Sequence, residues 1–362
     1  LVAAVRGLVD VGASLGLEPV HRGLVDHVVD DGVPPATEVV THFGDGRGGR
    51  KVMEGHGGIV DPDPSAAQLA RVGRVSSARM VIHADDVGMC NGTNRAFVEL
   101  SEAGVLTAGS VMVPCPWFTD LAEAAAANPA LDVGVHLTLN SEHRGYRWGP
   151  VSGAGASSGL VDEHGFMWRT VAQVRQHAHP DAVEAEWRAQ IDRALHVGID
   201  VTHLDAHMGS ALAPEWCDRY VAVGAEYGVP VLITGRLSGY DPHNHLAGVS
   251  DDDFDPFVQQ ARAAGMPVFD RVLETDFDRP RGAPVDYRSK LLAGGDGLVY
   301  CAFHPCRPGP GEVEVIEPHA HHVRVDEYEL FGESDWAAWL QEQPFTLTGM
   351  RELRDEMRAV RP

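Results

Sequence analysis

The chain has 362 residues, of which 44% are hydrophobic and 22% are charged. This composition is typical of a globular protein, and the length allows one large domain or two smaller ones. The formal net charge is −23, from 29 basic and 52 acidic side chains. Such an acidic surface repels phosphate backbones and anionic lipids, which argues against nucleic acid and membranes as partners.

The cysteine content indicates a reducing compartment. The five cysteines are Cys90, Cys115, Cys217, Cys301 and Cys306, and no C-x-x-C motif occurs. We therefore expect free thiols that bind no metal. No stretch approaches about 18 consecutive apolar residues, so no transmembrane helix is expected. Charged residues interrupt the first twenty positions, which argues against a signal peptide and favours a cytoplasmic location.

The first part of the chain differs from the rest. Residues 1–77 are rich in Gly, Val, Asp and Arg, and they show no clear helical or strand period. The stretch "VDPDPSAAQ" near their end is typical of a linker. We expect residues 1–77 to form an irregular, poorly ordered N-terminal extension; the alternative is a small accessory region packed on the main domain. Residues 78–362 are then the main domain.

From Arg79 onward, short apolar runs alternate with helical segments. The predicted strands are, in chain order, "RMVIHA", "GSVMVP", "LDVGVHLTL", "DVTHLDAH", "VPVLITG", "MPVFDRVLE" and "GLVYCAFHP". One helix between them carries an apolar stripe at steps of four residues: Val183, Trp187, Ile191 and Leu195. Strands that alternate with helices indicate parallel βα units. The main nucleotide-binding motifs are missing, so the pattern favours an α/β fold of the (β/α) barrel type, distorted or seven-stranded.

Acidic and imidazole side chains recur at the ends of the predicted strands. They are His83, Asp85, Asp86, His136, His203, Asp205, His207 and His304. The carboxyl ends of barrel strands converge on one face, where barrel enzymes hold their active sites. The chain has 19 histidines, so some of this placement is expected by chance. The joint placement nevertheless predicts a site.

Two adjacent carboxylates, Asp85 and Asp86, end the first predicted strand. One carboxylate and two neutral imidazoles make a three-ligand site with open positions, the form that catalytic metals use. One aspartate would bind the cation while the other takes a proton from water. Side chains alternate along a strand, so both can line one pocket only where the backbone turns. The alternative is that the pair caps a helix.

Several segments together carry a resemblance to a known family: "IHADDVGMCNGTNRAFVELSEAGVLTAGSVMVP", "LDVGVHLTL" and "VTHLDAHMG". From about Met80 to the "YELF" and "GMRELRD" segments, the chain resembles the YdjC-like family of chitooligosaccharide deacetylases, often labelled together with a hopanoid-biosynthesis deacetylase. The resemblance implies a (β/α) barrel related to the polysaccharide deacetylases. It also implies a metal-dependent hydrolase that removes the acetyl group of an N-acetylated amino sugar or oligosaccharide and releases acetate.

The resemblance also implies roles for individual residues. Asp85 and His304 are implied as catalytic base and acid, and Asp86, His136 and His203 as ligands of one divalent metal ion. The family is usually assigned magnesium, whereas the softness of an Asp-His-His ligand set favours zinc.

Four further residues are expected to line the pocket or to orient its ligands: Asp205, His207, Arg236 and Trp148. Asp205 would orient a histidine or the metal-bound water. Arg236 would stabilise the oxyanion or orient Asp85, and a surface salt bridge is its alternative. Trp148 lies in a long aromatic insert that would stack on a sugar ring as a lid; packing of that loop on the barrel is equally open.

Two departures from the family pattern touch the pocket wall. The segment "HLDAHMGS" lacks the last histidine of H-x-D-x-H-x-H, and "CRPGPGE" follows His304-Pro305. These two departures call the chitooligosaccharide substrate into question more than the hydrolytic reaction. Two alternative functions stay open: a metal-dependent hydrolase of a non-sugar amide or ester, and a non-catalytic sugar-binding relative. A homodimer is also an open expectation.

Overall fold

The computed structural model describes residues 78–240, 246–309 and 311–360, so the predicted extension, residues 1–77, lies outside the described residues. Within the described ranges there are seven strands: β1 (Arg79–Val87), β2 (Ala108–Val111), β3 (Val133–Leu137), β4 (Val201–Ala206), β5 (Arg271–Glu274), β6 (Leu298–Phe303) and β7 (Thr346–Leu347). No helix in these ranges is long and apolar enough to cross a membrane.

Helices connect and cover these strands. In the same ranges they are α1 (Asn91–Glu102), α2 (Phe118–Ala127), α3 (Val171–His177), α4 (Pro180–His196), α5 (Cys217–Tyr227), α6 (Asp251–Ala263), α7 (Tyr287–Leu292), α8 (Glu312–Ile316), α9 (His321–Phe331), α10 (Trp336–Gln341) and α11 (Met350–Val360).

The strands form one parallel sheet that closes on itself. Their order is β4-β3-β2-β1-β6-β5, and β7 pairs with β1. The extended segment 231–234 connects the two edges of the sheet through isolated parallel bridges, from Val231 to Leu204 on β4 and from Thr234 to Phe269, which lies just before β5. The ring therefore consists of six strands and this segment, and the predicted α/β barrel is confirmed. The predicted strand "VPVLITG" contributes only these bridges.

The apolar stripe on α4 turns away from the core at its C-terminal end. Val183, Trp187 and Ile191 are fully buried, but Leu195 is 45% exposed. Four residues span about 40° more than one helical turn, so a stripe at steps of four drifts around the helix. Ala194 is fully buried in place of Leu195, and the prediction for Leu195 is wrong for this reason.

The interior of the barrel is polar near its carboxyl end. His83 on β1 and His203 on β4 are fully buried and face each other, with 2.9 Å between their Nε2 atoms. Alternate residues of a strand share one face, and each pair of residues rises about 6.6 Å. His203 and Asp205 therefore stand at successive heights, and His207 follows just beyond the strand. This ladder of side chains sets the depth of each group in the site.

Gly134 on β3 leaves room for the imidazole of His203. A Cβ at this position would lie 2.5 Å from Cε1 of His203. We expect Gly134→Ala to lower the free energy of unfolding by about 1–3 kcal/mol, because the ring or the strand must move. Thermal denaturation would measure this. The control is Gly145→Ala, whose Cβ would meet no described heavy atom within 4 Å. Equal melting temperatures for the two variants would contradict the proposed packing.

Candidate active site

The backbone turns at Asp86, and this turn brings both adjacent aspartates to the cavity. Asp86 has φ of 57°, in the left-handed region that non-glycine residues seldom adopt. The pairing of β1 with β2 shifts register between Ala84 and Val87. Side chains would otherwise alternate across the sheet, yet Asp85 and Asp86 both line one cavity. Strained residues of this kind concentrate at functional sites.

Asp86 meets two histidines at the mouth of the barrel. Its Oδ1 atom lies 3.3 Å from Nε2 of His136 and 3.0 Å from Nδ1 of His207. Among the described residues, three groups have ligand atoms close enough to hold a metal ion: His83–His203–Asp205, Asp86–His136–His207 and Asp85–His136–Asp205. The members of the Asp86–His136–His207 and Asp85–His136–Asp205 groups all line the cavity, whereas His83 and His203 do not.

The outer nitrogens of these two histidines are held by carboxylates. Nδ1 of His136 lies 3.0 Å from Oδ1 of Asp205, and Nε2 of His207 lies 2.9 Å from Oε2 of Glu142. Metal-binding histidines usually donate their second N–H to a carboxylate in this way, which orients the ring. Both inner nitrogens therefore point at Asp86. The donor set fits a divalent cation, and Asp205 has the place expected of a group that orients a histidine.

Without a bound cation, His207 is an imidazolium, with a proton on each ring nitrogen. Burial alone would lower the pKa of His207, but the carboxylates of Glu142 and Asp86 raise it to about 9. A cation at this site must displace that proton from Nδ1. Cation binding is therefore expected to weaken as the pH falls.

The structure does not bring His203 together with Asp86 and His136. Its two ring nitrogens are already engaged, because the Thr202 hydroxyl lies 2.9 Å from Nδ1 and His83 lies 2.9 Å from Nε2. His203 also stands two levels deeper on the ladder than His207. The predicted ligand set thus differs from the observed group at one position, where His207 replaces His203.

The base candidate, Asp85, is anchored to the deeper histidines. Nδ1 of His83 lies 2.6 Å from Oδ1 of Asp85, and Nε2 of His83 lies 2.9 Å from Nε2 of His203. Burial raises the pKa of Asp85 well above its usual value. It lowers the pKa of His83 and of His203 to about 4 each.

His304 follows β6 and faces Asp85 across the cavity. Its Nε2 atom lies 3.8 Å from Oδ2 of Asp85 and 4.0 Å from Oδ2 of Asp86. Burial lowers its pKa well below the usual value, so the imidazole is neutral. The structure therefore brings together both predicted catalytic groups.

Arg324 on α9 is a charged partner that the sequence analysis missed. Its Nη2 atom lies 2.8 Å from Oδ2 of Asp86, and its Nε donates to Glu317. Burial alone would raise the pKa of Asp86, but Arg324 and His207 hold it well below its usual value. Most arginines on helices are surface residues, so the sequence carried no signal for this one.

Arg236 and Trp148 do not line the cavity. Arg236 is exposed on the surface. Trp148 is buried behind His207, with 6.3 Å between the ring centroids, and its Nε1 donates to the carbonyl of Asn140. The aromatic insert around Trp148 thus packs on the barrel, which was the alternative interpretation.

The cavity has a volume of about 270 Å³. Asp85, Asp86, His136, His207 and His304 line it together with the apolar side chains of Leu212, Leu232, Leu246, Val272 and Phe277. An apolar wall with a few convergent polar groups is typical of a small-molecule site.

We expect the buried pair of His83 and His203 to make the fold sensitive to acid. Their pKa values are about 4 in the folded protein, whereas an unfolded histidine titrates near about 6.5. Between these values the unfolded chain binds more protons, so the free energy of unfolding falls as the pH falls. Each histidine contributes about 3 kcal/mol to this change.

Melting temperatures between pH 7 and pH 4.5, measured with a chelator present, would test this expectation. The variant His203→Gln loses one of the titrating groups, so its melting temperature should fall less steeply than that of the parent. Asp85 titrates in the opposite sense but is present in both proteins, so its effect is shared. Equal slopes would contradict the expectation.

Comparison with known proteins places the chain in a family. The family profile described as YdjC-like protein matches residues 79–342. A carbohydrate deacetylase of Thermus thermophilus is 30% identical over 252 residues, which cover 67% of this chain and 83% of the relative. Carbohydrate deacetylases of Thermoanaerobacter pseudethanolicus and Oceanobacillus iheyensis are 28% and 32% identical, over 43% and 45% of this chain and 60% and 67% of the relatives.

A solved structure supports the fold. The crystal structure of a proposed cellobiose-phosphate cleavage protein of Enterococcus faecalis V583 has a TM-score of 0.61 at 19% identity, and the match covers 76% of this chain and 98% of that chain. Since the profile spans nearly the whole barrel and the Thermus relative is matched over most of its length, the chain belongs to the YdjC-like family.

Proposed function

We propose that this protein is a metal-dependent carbohydrate deacetylase that hydrolyses the acetamide of an N-acetylated amino sugar or oligosaccharide. One observation carries the proposal: a carboxylate and two imidazoles converge beside Asp85 and His304 in one cavity. The relatives named as carbohydrate deacetylases support the substrate class. The proposal assigns the activity to residues 78–362, outside the predicted extension.

Asp86, His136 and His207 would hold the cation. Two imidazoles and one carboxylate suit zinc better than magnesium, which prefers a shell of oxygen ligands. When bound, the cation supplies Lewis acidity, which polarises the amide carbonyl and acidifies water. Arg324 engages Oδ2 of Asp86 and leaves Oδ1 to face the two histidines.

Asp85 takes the proton of the attacking water. Burial raises the pKa of Asp85, so its carboxylate is a stronger proton acceptor than an exposed aspartate. The hydrogen bond from His83 holds Oδ1, and Oδ2 stays available on the side of His304.

His304 delivers a proton to the amide nitrogen as the carbon–nitrogen bond breaks. Since the resting imidazole is neutral, it must first receive that proton. The proton taken by Asp85 lies one short transfer away, across the 3.8 Å from Oδ2 to Nε2. The amine and acetate are then released, and both side chains return to their starting states.

Replacement of Asp85 tests the function. We expect Asp85→Asn to lower the release of acetate from N-acetylglucosamine oligomers by about 10²–10⁴-fold, because the amide cannot accept the proton of water. Its metal content should equal that of the parent, since Asp86 is unchanged. The matched control is Asp251→Asn on the surface of α6, which should keep full turnover.

Other outcomes would change the proposal. Full turnover in Asp85→Asn would remove Asp85 as the base. A parent protein that cleaves other amides or esters but no N-acetylated sugar would be a non-sugar hydrolase. A parent protein that binds sugar but releases no acetate would be a non-catalytic relative.

Metal titration separates the two candidate ligand sets. We expect His207→Ala and His136→Ala each to lower the affinity for zinc by more than about 100-fold. Loss of an outer hydrogen-bond partner of a ligand lowers it by only about 10–100-fold. His203→Gln should bind zinc nearly as the parent does, because His203 is already hydrogen-bonded to Thr202 and His83. Competition with a chromophoric chelator would measure the affinities. Loss of zinc in His203→Gln alone would restore the ligand set expected from the sequence.

A further inference from the structure

A buried threonine is hydrogen-bonded to Nδ1 of His304, the ring nitrogen that does not face Asp85. The hydroxyl oxygen of Thr275 lies 2.8 Å from Nδ1 of His304. Thr275 follows β5 directly and is 1% exposed, and its backbone N–H donates to the carbonyl of Ala302 on β6. Two adjacent barrel strands therefore set the distance between the hydroxyl and the imidazole.

A buried glutamate on α9 stands behind this threonine. Oε1 of Glu327 lies 2.7 Å from the Thr275 hydroxyl and 2.6 Å from the Tyr287 hydroxyl, and Oε2 accepts the backbone N–H of His304 at 2.6 Å. Glu327 is fully buried, and burial raises its pKa while its three donors oppose that rise. Its carboxylate thus accepts from three donors. It holds the main chain of His304 directly and the side chain of His304 through Thr275.

The direction of these hydrogen bonds determines the tautomer of His304. A threonine has one hydroxyl hydrogen, and Glu327, which also accepts from Tyr287 and from the His304 N–H, acts as an ionised carboxylate that takes it at 2.7 Å, against 3.5 Å to the Ala302 carbonyl. The Thr275 oxygen must then accept from Nδ1–H of His304. A neutral imidazole with its hydrogen on Nδ1 presents a lone pair at Nε2, which is the atom that faces Asp85.

We propose that Thr275 and Glu327 are positioning residues that keep the hydrogen of His304 on Nδ1, so that Nε2 is the atom that receives and delivers the proton. This inference rests on the proposed function, in which His304 is the acid. Neither residue needs to react with the substrate. This role could not be predicted from the sequence, because threonine and glutamate at these positions match no catalytic motif.

Two substitutions of Thr275 test the proposal through kinetics. We expect Thr275→Val, which removes only the hydroxyl, to lower kcat by about 10–100-fold with KM and zinc content unchanged. Thr275→Ser keeps the hydroxyl and should retain most of the parent activity. The matched control is Thr348→Val, a buried threonine near the opposite end of β1, which should leave kcat unchanged. Parent-like kcat in Thr275→Val would overturn the proposal.

Replacement of Glu327 tests the tautomer directly. In Glu327→Gln the side-chain amide can donate to the Thr275 oxygen, which then turns its hydrogen toward Nδ1 of His304. We expect the hydrogen of His304 to move to Nε2, and ¹⁵N spectra of histidine-labelled protein would show it. The variant His304→Gln identifies the signal by its absence.

The spectra keep this test separate from the deacetylase proposal. If the parent released no acetate from any N-acetylated sugar, the proposed function would fail, but the spectra would still report the tautomer. A parent signal with the hydrogen on Nε2, or one that Glu327→Gln leaves unchanged on Nδ1, would overturn the positioning role whatever the activity.

Discussion

The site depends on one buried carboxylate that is engaged on both of its oxygens. Arg324 binds Oδ2 of Asp86, while His207 and His136 approach Oδ1. A buried charge costs several kcal/mol unless such partners compensate it, and the left-handed backbone adds about 1–3 kcal/mol of strain. An aspartate in an ordinary strand conformation would point to the other face of the sheet. The backbone strain at Asp86 therefore brings its carboxylate into the cavity, and Arg324, His207 and His136 offset the cost of burying its charge.

The polar interior makes the barrel itself part of the site. Asp205 on β4 accepts from the hydroxyls of Ser110 on β2 and Tyr300 on β6, and it also holds His136 on β3. Four strands thus meet at one carboxylate. A shift of any of these strands would change the direction of the His136 ring, because Nδ1 and Nε2 are on opposite sides of the same rigid imidazole. The orientation of His136 is consequently tied to the strands of the barrel.

Sequence patterns could predict the strand ends but not the depth of each side chain. The alternation of strands and helices predicted the barrel, and it predicted that Asp85, Asp86 and His304 converge. It could not separate His203 from His207, because both fall on the same alternation, His203 within β4 and His207 just beyond its end. The roles of Arg324, Glu317 and Glu327 could not be predicted from the sequence for another reason. Arg324 and Glu327 lie on α9, and Glu317 directly follows α8. Only the tertiary fold brings Arg324 and Glu317 to the cavity and Glu327 to Thr275.

The two adjacent aspartates show how partners divide identical residues between different tasks. Burial raises the pKa of Asp85, whereas Arg324 and His207 overcome the effect of burial on Asp86 and lower its pKa. Carboxylates whose pKa values are pushed apart in this way can serve one as a proton acceptor and the other as a permanent anion. Neither task is written in the Asp-Asp motif, since the same motif with exchanged partners would exchange the roles. Under the proposed function, the roles of base and ligand are therefore set by burial at Asp85 and by Arg324 and His207 at Asp86.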